Sequence, residues 1–176
     1  MIDAKKIEKY KNLLLEAPGV TKAEYTKSIQ SSVTTSWGVA WSADYIARDV
    51  IQNFRDSNLT EIESIKIVTK NDQIVVSAKS TFDLRKLLFL GSNKSGDDEM
   101  VGQFGEGFKA AQISMIKMGI NETISTSGDQ AVIITVGPEV VEDMRPLVYH
   151  FFKVNKQNET QFIVNTYNKE LKKAFD

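Results

Sequence analysis

The chain has 176 residues, 41% hydrophobic and 26% charged, with 22 basic against 23 acidic side chains and a formal net charge of −1. This length supports one well-buried core, and the balanced, scattered charge excludes a basic stripe for direct nucleic-acid binding and a polybasic helix for a membrane surface. No cysteine is present, which excludes disulfides, thiolate metal sites and a cysteine nucleophile; with no leader-like segment and no apolar run of about 20 residues, a cytoplasmic protein with no membrane association is expected.

In chain order, residues 3–16 place Ile7, Tyr10, Leu13 and Leu14 on one side of a helix that Pro18-Gly19 ends. Residues 28–37 are rich in Ser and Thr, a composition that fits a strand and an extended arm equally. Trp37 and Trp41 flank Gly38 and read as a hydrophobic anchor for the next helix, predicted over 41–58 from the spacing of Ile46, Val50, Ile51 and Phe54. Ser42 is placed to cap it, with Asp44 in the first turn. Asp49 and Asn53 lie four apart and Asp56 three further on, so one face carries a carboxylate, an amide and a second carboxylate. Magnesium prefers hard oxygen ligands, so this trio suits a metal–nucleotide site; it also fits the solvated face of an amphipathic helix.

Residues 64–70 and 73–77 read as two strands joined by a tight Asn71-Asp72 turn, residues 82–90 as a helix and 93–99 as a polar loop. The stretch VGQFGEGFK at 101–109 follows. Gly102, Gly105 and Gly107 let the backbone turn and bring its N–H groups near a ligand, the helix after it points its positive end there, and Lys109 adds a cation. The reading is a phosphate cradle, although glycines at such spacing also mark ordinary loops. Residues 130–136 and 147–154 are predicted strands, separated by a helical or irregular stretch at 138–145, and residues 160–166 close the sheet before a terminal helix at 168–175. His150, the only histidine, has apolar strand neighbours and no Ser or Asp at a recognisable spacing, which predicts a packing or hydrogen-bonding role. Helices beside a largely antiparallel sheet give an α+β two-layer sandwich.

Taken together, the Asp49/Asn53 helix and the glycine-rich turn resemble the GHKL superfamily, the ATP-binding fold of DNA gyrase, the ninety-kilodalton heat-shock chaperones, sensor histidine kinases and MutL-type repair proteins. The resemblance covers residues 37 to about 175, with residues 1–36 as a leading helix and extended arm and 37–176 as a single GHKL-like unit. It implies a Bergerat-type fold, a mixed, largely antiparallel sheet with helices on one face. It also implies roles: Asp49 as the base that activates water, Asn53 as the ligand of Mg²⁺, and Asp56, Gly102, Gly105, Gly107, Phe108 and Lys109 at the nucleotide. Residues 90–95 look like the start of the ATP lid, where Lys94 reads either as a second phosphate clamp or as a solvated lysine. Thr160, on the late strand, takes the place of the threonine that helps recognise adenine.

Several positions depart from that pattern. The usual Glu base is Asp49, one methylene and about 1.5 Å shorter. The adenine-reading Asp-x-Gly-x-Gly aligns with Ala78, Ser80 and Phe82, and Glu159 replaces the glycine before Thr160. Alanine accepts no hydrogen bond from the adenine amino group, a loss on the order of 1–3 kcal/mol, and Asp83 is the nearest substitute acceptor. The expectation is a domain that binds Mg²⁺ with ATP, hydrolyses it slowly or not at all, acts as a conformational switch, and meets a second copy or a larger protein. The alternatives are a domain for another nucleotide and a non-enzymatic interaction module that kept the fold and lost the nucleotide.

Overall fold

Three segments, AVIITV, LVYHFF and FIV, are predominantly apolar rather than alternating, broken only by Thr135 and His150, the pattern of strands covered on both faces. The computed structural model describes residues 3–38, 40–70, 72–81, 83, 84, 108–138 and 144–176, and places these segments in one sheet. Its strands are β1 (Ala23–Thr34), β2 (Lys66–Lys70), β3 (Gln73–Ala78), β4 (Glu122–Ser127), β5 (Gln130–Val136), β6 (Pro146–Val154) and β7 (Thr160–Asn165). The order is β1-β6-β5-β4-β7-β3-β2, and every pairing between them is antiparallel. The helices are α1 (Ala4–Leu15), α2 (Ala43–Ser57), α3 (residues 108–117) and α4 (Lys169–Phe175).

Successive side chains of each strand go to opposite faces. Val132 and Ile134 of β5, Tyr149 and Phe151 of β6, and Phe162 and Val164 of β7 join Ile46, Val50 and Phe54 of α2, Ile113 of α3, and Leu171 and Phe175 of α4 in the larger core. The intervening residues Ala131, Ile133, Phe152, Val154 and Ile163 form a second core with Tyr10 and Leu14. The α+β sandwich is therefore as expected, with α2, α3 and α4 on one face, while α1 departs from the one-face arrangement and covers the other. The physical reason lies in β5, β6 and β7, whose second face would otherwise expose Ile133, Phe152 and Ile163 to water.

Local chemistry fixes three helix starts, of which the Ser42 cap is the one the sequence reading named. Asp3, Ser42 and Asn168 cap α1, α2 and α4, accepting from the backbone N–H of Lys6, Tyr45 and Leu171 at 2.8, 3.3 and 2.8 Å. Gly128, at φ +59°, occupies the two-residue connection between the paired Ser127 and Gln130, where a left-handed residue is needed. The Ser/Thr-rich stretch is strand as far as Thr34, an edge strand on β6 with register shifts between Tyr25 and Lys27 and between Gln30 and Thr34. Apart from Asp83 and Leu84, the helix expected at 82–90 lies outside the described residues, as do the polar loop at 93–99 and most of 138–145.

Candidate functional site

The sequence-predicted residues that are described lie on α2, α3 and β7, elements of the larger core, and the segment before α2 is joined to α3. Ser114 of α3 accepts the Trp41 backbone N–H at 2.9 Å and donates to the Ala110 carbonyl at 2.8 Å, and the Lys117 ammonium donates to the Trp37 carbonyl at 2.9 Å. Trp37 and Trp41 pack against the core, as the anchor reading expects.

On α2, the structure brings Asp49 and Asn53 together. The Asn53 Nδ2 donates to Asp49 Oδ2 at 3.0 Å, and both residues are half-buried. Burial raises the Asp49 carboxyl above its ordinary range; the Asn53 bond opposes this and the nearby Asp56 charge adds to it. Asp56 turns to Gln52 instead, whose Nε2 donates to it at 2.8 Å. The amide that donates through Nδ2 presents Oδ1 as its remaining polar atom, the hard oxygen a magnesium ion takes. Asp49 and Asn53 together offer oxygen donors of the kind magnesium takes, while among the described residues no cluster of three or more His, Asp or Glu side chains is placed to hold a metal ion.

On α3, Phe108 packs edge-to-face on Phe162 of β7 with ring centroids 5.3 Å apart. Lys109 is 1% exposed, and burial pushes its ammonium down to about 8. Gln112, three residues on and so on the same helix face, accepts the Thr123 hydroxyl at 2.6 Å. Thr123, Ser125 and Ser127 alternate along β4 and put a row of buried hydroxyls under this face. The row continues into β7, where Ser127 and Thr160 bond at 2.8 Å and the Thr160 hydroxyl donates to the Ser80 carbonyl at 2.6 Å.

Thr160 pairs directly with Ala78 across β7 and β3, so the two positions aligned with adenine recognition are neighbours in space. Ala78 is 1% exposed and has no polar side-chain atom to offer. Asp83 does not turn toward Ala78's place: it accepts from Gln130 Nε2 at 3.1 Å, and Gln130 Oε1 accepts the Leu84 N–H at 2.7 Å, which directs it to the β4–β5 hairpin. Lys94, Gly102, Gly105 and Gly107 lie outside the described residues.

Two side chains that sequence reasoning did not single out shape this region. Asn58, buried just past α2, donates to the Phe54 carbonyl at 2.8 Å and accepts the Ser80 N–H at 2.9 Å. Gln112 is buried inside the apolar periodicity of α3. A polar residue at a core position of a helix is the signal that marks both. His150 has the serine partner its spacing did not reveal: Ser28 Oγ, 122 residues away, lies 2.7 Å from Nδ1. Thr135 Oγ1 lies 3.0 Å from Nε2, so hydroxyls rather than a carboxylate orient the ring, and the hydrogen-bonding role stands.

No helix among the described residues is long and apolar enough to cross a membrane. Comparison with protein-family models and with curated proteins yields no match.

Proposed function

We propose that this chain is a nucleotide-binding domain of the GHKL type, which holds Mg²⁺ with ATP or another nucleotide, turns it over slowly or not at all, and works as a conformational switch toward a second copy or a larger protein. The half-buried Asp49–Asn53 pair carries this reading. A half-buried carboxyl–amide pair on α2, in which the amide oxygen is not engaged by the bond to Asp49 and the carboxyl's proton affinity is raised, suits metal holding and proton acceptance from water. When bound, the metal would neutralise phosphate charge. The buried hydroxyl row from Thr123 to Thr160 lends support, because polar groups in a core face need a reason. Ala78 gives the base half little specificity, so the phosphates and metal supply most of the affinity.

One observation favours the interaction module as a second reading. Lys109, the cation assigned to phosphate, is enclosed, and its environment disfavours its charge. Thermal unfolding with Mg²⁺ plus ATP, ADP, a non-hydrolysable ATP analogue or GTP separates the two. Ligand at 100 times its Kd adds about 2.7 kcal/mol, roughly a 5–10 °C rise for a domain of this size. A Mg²⁺-dependent rise, absent in Asn53→Ala, supports the nucleotide site; no rise with any nucleotide at millimolar concentration leaves the interaction module.

A further inference from the structure

The face of the sheet opposite the candidate site holds a cleft of about 510 Å³ between α1 and the strands β1, β5 and β6. That volume falls in the range of sites that enclose small ligands. Its floor is His150, hydrogen-bonded at both ring nitrogens, with the Tyr10 ring stacked on it at 4.9 Å between centroids. Val148 and Pro138 add apolar surface. The charged groups at the lining are Lys6 and Arg145, and among the described residues no carboxylate lines it. Glu122 and Asp3, whose charges the Tyr10 hydroxyl feels, are not part of the wall.

Arg145 is exposed yet held in place. Its backbone exchanges two hydrogen bonds with Thr35, N–H to Oγ1 at 3.2 Å and carbonyl to N–H at 2.9 Å, and its Nε donates to the Gly137 carbonyl at 3.1 Å. A guanidinium anchored through Nε is pre-organised to present its remaining N–H groups to an oxyanion. Lys6 projects from α1 and its charge reaches His150, where burial first and Lys6 second hold the imidazole down to about 4. Among the described residues the cleft is thus a cationic rim over a neutral aromatic floor at pH 7.

We infer that this cleft binds a small organic anion, a carboxylate borne on an apolar or aromatic body, with Lys6 and Arg145 taking the carboxylate and the Tyr10–His150 stack taking the body. It is independent of the nucleotide reading, because it uses the other face of the sheet. The occupant's charge opposes that of Lys6 at the imidazole, so binding and protonation of His150 favour each other.

The test uses benzoate as the probe and benzamide as its uncharged counterpart, and follows the imidazole NMR resonances of the chain's one histidine. Benzoate at millimolar concentration is expected to shift those resonances saturably and to raise the titration midpoint above about 4, while benzamide leaves both in place. Lys6→Gln and Arg145→Gln, both at exposed positions, are expected to weaken benzoate about fivefold or more each, Lys6→Gln without moving the unfolding midpoint and Arg145→Gln with a small fall from loss of its bond to Gly137. Resonances unmoved by benzoate at tens of millimolar, an equal response to benzamide, or wild-type affinity in both variants overturns the proposal.

Discussion

The Asn58 side chain accepts the Ser80 backbone N–H at 2.9 Å, tying the end of α2 to the segment that leaves β3. Its Nδ2 meanwhile satisfies the Phe54 carbonyl, an orphan acceptor of the last helical turn. Asn58→Ala removes both bonds at a 4% exposed position and strands a backbone donor. The expected cost is about 2–3 kcal/mol, seen as a fall of roughly 4–10 °C in Tm. A change under about 1 °C would show that water replaces the side chain without loss.

Asn53→Ala separates binding from folding. Asn53 is half-buried and, among the described residues, its side chain bonds only to Asp49, so its removal costs about 1 kcal/mol or less of stability. On the nucleotide reading the Mg²⁺-dependent rise in Tm disappears, whereas Asp49→Asn retains binding and loses turnover. Isothermal titration beside a phosphate-release assay checks the pair, and wild-type affinity in Asn53→Ala removes the metal role assigned to it.

Lys109→Met is expected to remove the pH dependence of stability that the buried ammonium brings, while reducing any nucleotide response. An ammonium held down to about 8 is a charge its surroundings disfavour, and methionine keeps the volume without the charge. Because the folded value lies below the ordinary one, the unfolded chain binds the extra proton between about pH 8 and 10.5, and this cost is complete below that window. Urea unfolding at about pH 7.5 and about pH 10 checks this: the wild type is expected to lose more stability than the variant as pH falls between the two, and equal losses would show that the ammonium titrates at its ordinary value.

Acid weakens the fold through His150. Its folded value is about 4 against an ordinary 6.5, so the unfolded chain takes up a proton that the folded chain refuses. Stability therefore falls as pH drops through that window, by on the order of 2–3 kcal/mol. Asp49 acts in the opposite sense at the lower end, since its raised carboxyl binds its proton more readily when folded. Tm measured from pH 7 to pH 4 is expected to fall less in His150→Gln than in the wild type, even though the variant starts lower through loss of the Ser28 and Thr135 bonds. Parallel curves would assign the acid limb to carboxylates elsewhere.

The sequence by itself determined what depends on local periodicity and capping. The stripes of α1 and α2, the Ser42 cap, the strand of residues 130–136 and the pairing of Asp49 with Asn53 all follow from spacings of two to four residues. Only the tertiary structure decided which groups meet across long separations. It set α1 on the second sheet face, gave His150 a partner 122 residues away, turned Asp83 to Gln130, and enclosed Lys109. Such contacts are selected by which surfaces must leave water together, and no short-range pattern in the chain encodes that choice.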